Sequence, residues 1–191
     1  MTFYATLAAA AVLWGALRGH PNILFFEASP LRPGQHAVQF ISSGAIGASM
    51  GLLLVLLTRM LQERYAWARM LHNEFHDLLG PLSEREILLL AAASAIGEEC
   101  LFRGALLLHL KDLLPGAPGY LLGLFGSSAI FALLHIGPGV RFLPWTLSAL
   151  LMGLLLGIVF VSMGDLLSPI AIHFTVNLLN LKDIVRRQIP A

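Results

Sequence analysis

The chain has 191 residues, of which 57% are apolar and 12% charged, with 12 Lys and Arg against 11 Asp and Glu for a net charge of +1. A soluble domain has roughly 45–50% apolar and ~25% charged residues, so with a mean hydropathy of +0.78 these proportions exclude a disordered chain and point to an integral membrane protein. The charge balance gives no reason to expect nucleic acid as a partner, and the single cysteine, Cys100, excludes an internal disulfide framework and a Cys-rich zinc site.

A helix crosses the hydrocarbon core with about 20 mostly apolar residues. In chain order the first candidate span is 2–17, short and without the basic start of a signal peptide. His20-Pro21, Ser29-Pro30 and Arg32-Pro33-Gly34 break the chain before the second, 37–58. Residues 59–85 mix Arg59, Glu63, Arg64, Arg69, Glu74, Asp77 and Arg85 with leucines, Trp67 and Phe75, the pattern of an amphipathic helix lying at the interface. The third span, 86–110, carries Glu98, Glu99 and Arg103. The turn tract Pro115-Gly116-Ala117-Pro118-Gly119 precedes the fourth, 120–136, and Gly137-Pro138-Gly139 separates it from the fifth, 143–163. Met163-Gly164-Asp165 leads tightly into the sixth, 166–181. The fold expected is all-α: a polytopic membrane helix bundle of six transmembrane helices plus one interfacial amphipathic helix.

Sidedness follows from Lys and Arg in the short loops. Arg59, Arg64, Arg69, Arg85, Arg141, Lys182, Arg186 and Arg187 fall on one side, and Arg18, Arg32 and Lys111 on the other. Eight against three puts both termini in the cytoplasm, in a cell (inner) membrane.

Three charges in the middle of the third span need a reason, since each costs roughly 2.5–3.5 kcal/mol at a helix centre on insertion scales. Glu99 and Arg103 are four residues apart, on one helical face, and taken alone read as an ion pair that orders the bundle. Glu98 points about 100° away and needs another partner. His135 ends the fourth span, and His173 and Asn177 share a face of the sixth. Intramembrane ionisable groups turn to the bundle interior, so a Glu, two His and an Asn from three helices are expected to meet there, as active sites in helical bundles do. Phe131, one turn before His135, reads as a wall of that site or a packing contact. His20, His36, His72, His76 and His109 read as interfacial, and Gly123, Gly126, Gly153 and Gly157 as points of close helix approach.

Glu98-Glu99-Cys100-Leu101-Phe102-Arg103, Phe131-Ala132-Leu133-Leu134-His135 and His173-Phe174-Thr175-Val176-Asn177 together resemble the three signature motifs, EExxxR, FxxxH and HxxxN/B, of the CPBP intramembrane proteases, also called the type II CAAX prenyl endopeptidase or Abi family. The resemblance covers about half the chain. It divides one membrane domain into N-terminal spans and interfacial helix (1–83) and a CPBP-like catalytic helix core (84–191). It implies an intramembrane endopeptidase in which Glu98 and His135 activate water, His173 and Asn177 stabilise the oxyanion, and Arg103, paired with Glu99, holds the first motif in place. The implied substrate is a membrane-anchored or hydrophobic peptide or protein, reached from the lipid bilayer through a cavity open to the cytoplasm. The family is described both as metalloproteases and as metal-independent glutamate proteases. Glu98, His135 and His173 could hold zinc, but no HExxH helix is present, and the reading adopted is glutamate-type catalysis with no obligatory cofactor. Two competing functions are a non-catalytic immunity or scaffold protein of the same family and a small proton-coupled transporter. Neither the substrate nor the oligomeric state is written in the sequence.

Overall fold

The computed structural model describes residues 2–20, 22–25 and 33–190, the side chains of 33–37 excepted. The chain folds into helices α1 (Thr2–Leu17), α2 (Pro33–Arg64), α3 (Ala66–Leu79), α4 (Glu84–Glu99), a π-helical segment (Cys100–Leu107), α5 (Leu108–Lys111), α6 (Gly116–Leu133), α7 (Leu143–Met163) and α8 (Leu167–Arg186). Among the described residues there is no strand, only an isolated bridge between Phe25 and Asp165. The all-α expectation holds.

Helices α1 and α7 have the expected bounds, and the others differ for local reasons. Helix α2 begins at Pro33, where proline's missing N–H is one the first turn would leave unused anyway. It runs on to Arg64, so Arg59, Glu63 and Arg64 belong to it and the interfacial helix shrinks to α3. Arg85 belongs to α4, whose start is fixed by a capping box: the Ser83 Oγ accepts from the Glu86 N–H at 3.3 Å and the Ser83 N–H donates to Glu86 Oε2 at 2.8 Å. The turn tract 115–119 is the first turn of α6, with Pro115 extended before it and Pro118 at a position that needs no N–H. Helix α6 stops at Leu133, leaving His135 just beyond its end, and α8 outruns its expected end by continuing to Arg186. Pro21, Ser29, Pro30, Arg32 and the side chain of His36 lie outside the described residues.

Among the described residues, three helical stretches are long and apolar enough to cross a membrane by length and composition: Val38–Arg64, Gly116–Leu133 and Val140–Met163. The other three expected spans also form helices in place. Helix α1 is apolar but shorter, the run from Glu84 to Lys111 carries the interior charges, and α8 carries Lys182, Asp183 and Arg186 at its end. Gly47 and Gly51, four residues apart, let α2 lie directly on α8. A Cβ on Gly51 would stand 3.0 Å from the Ile172 carbonyl oxygen, and one on Gly47 would stand 2.9 Å from the Ala171 Cβ. Where α8 begins, the fully buried Asp165 accepts from Ser43 Oγ (2.6 Å), Gln39 Nε2 (3.2 Å) and the N–H groups of Leu167 (3.0 Å) and Ser168 (3.3 Å), so the capping carboxylate also pins α2.

At the opposite end of α8 the cations counted on one side do gather. Arg59 pairs with Asp183, Lys182 and Arg186 reach Glu84, and Arg141 meets Glu74 at 2.7 Å. Helix α3 is tied there to the C-terminal residues. His72 Nε2–H donates to the Arg187 carbonyl (2.8 Å), His76 Nδ1–H to that of Ile184 (2.6 Å), and the Asn73 amide exchanges bonds of 2.8 and 2.9 Å with the backbone of Ile189. His72 is therefore a buried structural group, 3% exposed, and not the interfacial residue the sequence suggests.

Burial holds the His72 imidazole below its ordinary 6.5; the Arg187 carbonyl acts in the opposite sense, and the positive neighbours Arg187, Arg59 and His76 add to the lowering. Asp183, 3.7 Å away, is already engaged by Arg59 and Arg187. A lowered value means that the detached state binds more protons, so the attachment is fully present above 6.5 and is lost as pH falls below it. Hydrogen exchange of residues 66–79 and 184–190, corrected for intrinsic rate, should therefore quicken between about pH 7.5 and about pH 5.5, and His72→Gln should flatten that response.

Candidate active site

Glu98 and Glu99 close α4, midway along the helical run from Glu84 to Lys111, and the π segment begins at the next residue. Single-turn π segments widen a helix and re-aim its side chains, and they recur at functional sites. Across this one, Arg103 Nη1 donates to Glu99 Oε1 at 2.9 Å, with both side chains essentially inaccessible (1% and 0%). Arg103 Nη2 donates to the Gly153 carbonyl at 3.2 Å, and its guanidinium lies 4.8 Å from the centre of the Phe131 ring. Gly153 lets α7 lie close against α6, since a Cβ there would stand 3.1 Å from the Ser128 Cβ. Phe131 packs edge-on against Phe102 at 5.0 Å and lies 4.3 Å from the His135 ring.

The two histidines are each oriented through Nδ1. His135 Nδ1–H donates to the Phe131 carbonyl at 2.7 Å, and His173 Nδ1–H to Glu99 Oε1 at 2.8 Å. A neutral imidazole so bonded turns an acceptor Nε2 outward. Both Nε2 atoms face Glu98 Oε2, at 3.9 Å from His135 and 3.8 Å from His173. Those separations are too long for a direct hydrogen bond, and Glu98 Oε2 is buried with no partner. Three acceptors thus converge with no donor among them. With Glu98 and Glu99 ionised and Arg103 charged, the cluster also carries one uncompensated negative charge, which a low-dielectric interior penalises. Such a site calls for a proton, a bridging water or a cation.

These groups open on a cavity of about 370 Å³ lined by Glu98, Phe131, His135, His173 and Asn177. Asn177 Nδ2 donates to Ser94 Oγ at 3.0 Å, leaving its second N–H uncommitted. Glu99 and Arg103 do not line the cavity and stand behind it. All seven residues singled out from the sequence are accordingly in one place. Sequence reasoning missed much of the rest of the wall, including Tyr4 of α1, Gln62 of α2, Trp67, His72 and Phe75 of α3, and Ser94 of α4. Only Ser94, one turn before Glu98 on the same stripe, left a readable signal.

As zinc ligands Glu98, His135 and His173 fit in kind, with each imidazole steered through Nδ1 by a carbonyl or carboxylate as metal-bound histidines are. The spacing fits less well. Ligand atoms about 2.0–2.1 Å from a tetrahedral ion stand about 3.3 Å apart, against 3.8 and 3.9 Å here. No group of three or more His, Cys, Asp and Glu among the described residues is drawn together as a metal centre.

No curated protein and no solved structure matches the chain. Residues 84–179, which contain all three motifs and every cavity residue just named from Ser94 onward, match the family described as type II CAAX prenyl endopeptidase Rce1-like. With half its length so matched and its apolar helices in place, the chain is an integral membrane protein of the Rce1-like type II CAAX prenyl endopeptidase family, a family that points to a protease.

Proposed function

We propose that the protein is an endopeptidase that hydrolyses a peptide bond of a membrane-associated substrate with a water activated by Glu98 and His135. The observation that carries this reading is the meeting of three acceptors, Glu98 Oε2 and two imidazole Nε2 atoms, at a cavity wall. A water placed there gives its protons to acceptors and turns its oxygen lone pair to a peptide carbonyl. As the tetrahedral intermediate forms, Glu98 or His135 takes the water proton. The oxyanion faces the free N–H of Asn177 and, once the water proton has passed through Glu98 to His173, its Nε2–H. Glu99, held by Arg103, stabilises that imidazolium through Nδ1. The C–N bond then breaks as that proton passes to the leaving nitrogen, the second water proton follows, and the products are a carboxylate and a protonated amine.

The excess of cations at the α3 end makes that end cytoplasmic in this reading. The active site then opens toward the cytoplasm of the cell (inner) membrane, and both termini are cytoplasmic. The substrate is a membrane-anchored or hydrophobic peptide entering beneath α3. The family's own description makes a prenylated CAAX peptide the first to try. Zinc is not obligatory in this reading. If bound, it would be held by Glu98, His135 and His173 and would supply Lewis-acid activation of the water.

The test uses purified protein in liposomes with a farnesylated CAAX-terminated peptide and its unprenylated counterpart. Cleavage of at least one is expected, undiminished after dialysis against EDTA. Loss on dialysis with recovery on adding zinc would make the enzyme metal-dependent. No cleavage of either would turn the assignment to a scaffold, or to a carrier if the liposomes show proton-driven solute uptake.

A further inference from the structure

Several polar side chains line the cavity, and most have a partner in the protein. Thr58 donates to the Leu54 carbonyl, Ser94 to that of Ala91 and Ser148 to that of Pro144, while Gln62 bonds His72 and Asn177 bonds Ser94. Asn180 differs. It lines the same cavity, its carboxamide has no hydrogen bond among the described residues, and its Oδ1 is sealed from solvent without a partner. A sealed amide oxygen left without a donor is destabilising and needs a reason. It lies just past the residues matched to the family and has no place in the chemistry above.

We infer that Asn180 is a substrate-positioning residue whose side chain turns into the cavity as substrate binds, so that its carboxamide hydrogen-bonds a main-chain amide of the bound peptide. A carboxamide offers one acceptor and a pair of donors, the complement of a peptide group. Its position along α8 narrows which one. His173, Asn177 and Asn180 follow at helical spacing on one stripe facing the cavity. At 1.5 Å per residue, Asn180 stands about 4.5 Å beyond Asn177 and about 10.5 Å beyond His173 along the axis. An extended peptide advances about 3.3 Å per residue. With its scissile carbonyl at His173 and Asn177, it would therefore bring a peptide group one to three residues away to Asn180. The contact reads backbone, so it selects an extended conformation rather than a side chain. This inference rests on the protease reading.

The experiment compares wild type and Asn180→Leu on farnesylated CAAX-terminated peptides N-methylated at one amide at a time on either side of the cleaved bond. The same peptides are titrated by fluorescence anisotropy against Glu98→Gln with and without Asn180→Leu. Asn180→Leu should raise KM about tenfold with kcat within about twofold of wild type, and should leave Tm unchanged or higher because it removes an unsatisfied group. One N-methyl position should weaken binding about tenfold when Asn180 is present and not at all when it is leucine. Equal KM in the two enzymes, or an N-methyl penalty that persists in Asn180→Leu, overturns the inference and leaves the protease standing. Position-specific binding without turnover keeps the subsite and overturns hydrolysis. No binding at all overturns both.

Discussion

Replacing Arg103 with leucine should leave little folded protein to extract from the membrane. Arg103 and Glu99 are among the largest fully buried side chains, and the arginine binds four neighbours at once: Glu99, the Gly153 carbonyl, and the faces of Phe131 and Phe102. Removing it leaves the Glu99 carboxylate with the His173 Nδ1–H as its one donor, and Glu99 Oε2 has no partner even in the intact protein. Breaking a buried pair from one side costs about 3–5 kcal/mol because a bare charge remains. Deleting both charges costs much less. The double variant Glu99→Met/Arg103→Met should therefore recover most of the monodisperse yield on size-exclusion chromatography. It should not recover activity, since His173 then has no carboxylate to fix its tautomer. Wild-type yield and Tm for Arg103→Leu alone would show that the pair carries no weight in the fold.

The Glu99–Arg103 pair is legible in the sequence, because both partners lie on one helical run and a spacing of four residues fixes their meeting. The meeting of Glu98 with His135 and His173 was readable more weakly, since no spacing relates three helices; only the cost of burying an unpartnered carboxylate demanded that something come to it. The fold was legible wherever apolar length set it, as in α1 and α7. It was misread where chemistry near a helix end was ambiguous, as in the Pro-Gly tract that opens α6. The π segment carries no compositional mark: Cys100–Leu107 reads as ordinary helix, and its wider winding is visible only in the structure, where α1, α6 and α7 pack against it. The N-terminal half carries none of the three motifs, yet it supplies Tyr4, Gln62 and one face of α3, including Trp67, His72 and Phe75, to the cavity wall. Roofing is a tertiary relation, and neither His72 nor Asn180 differs in sequence from an ordinary surface polar residue near a helix end.

The same convergence predicts an unusual response to Glu98→Gln, in which activity collapses while stability holds or improves. Catalysis should fall by about 10²–10⁴-fold, the contribution of a positioned general base, because a carboxamide cannot take a proton from water. Stability should move the other way. The glutamine is nearly isosteric, removes a carboxylate that is uncompensated when ionised, and brings two N–H donors to a place where His135 Nε2 and His173 Nε2 both wait as acceptors 3.9 and 3.8 Å from the present oxygen. A modest rotamer adjustment satisfies one of them. Sites that keep like-natured groups together for catalysis are where activity and stability trade against each other. Glu98→Ala should lose as much activity without the gain, since it supplies no donor. Thermal unfolding in detergent together with peptide turnover decides the matter, and the sign of the Tm shift carries information that turnover alone lacks. A cation resident among the three acceptors would be released by Glu98→Gln, and the variant would then unfold at a lower temperature than wild type, with the difference abolished by prior EDTA treatment of both proteins.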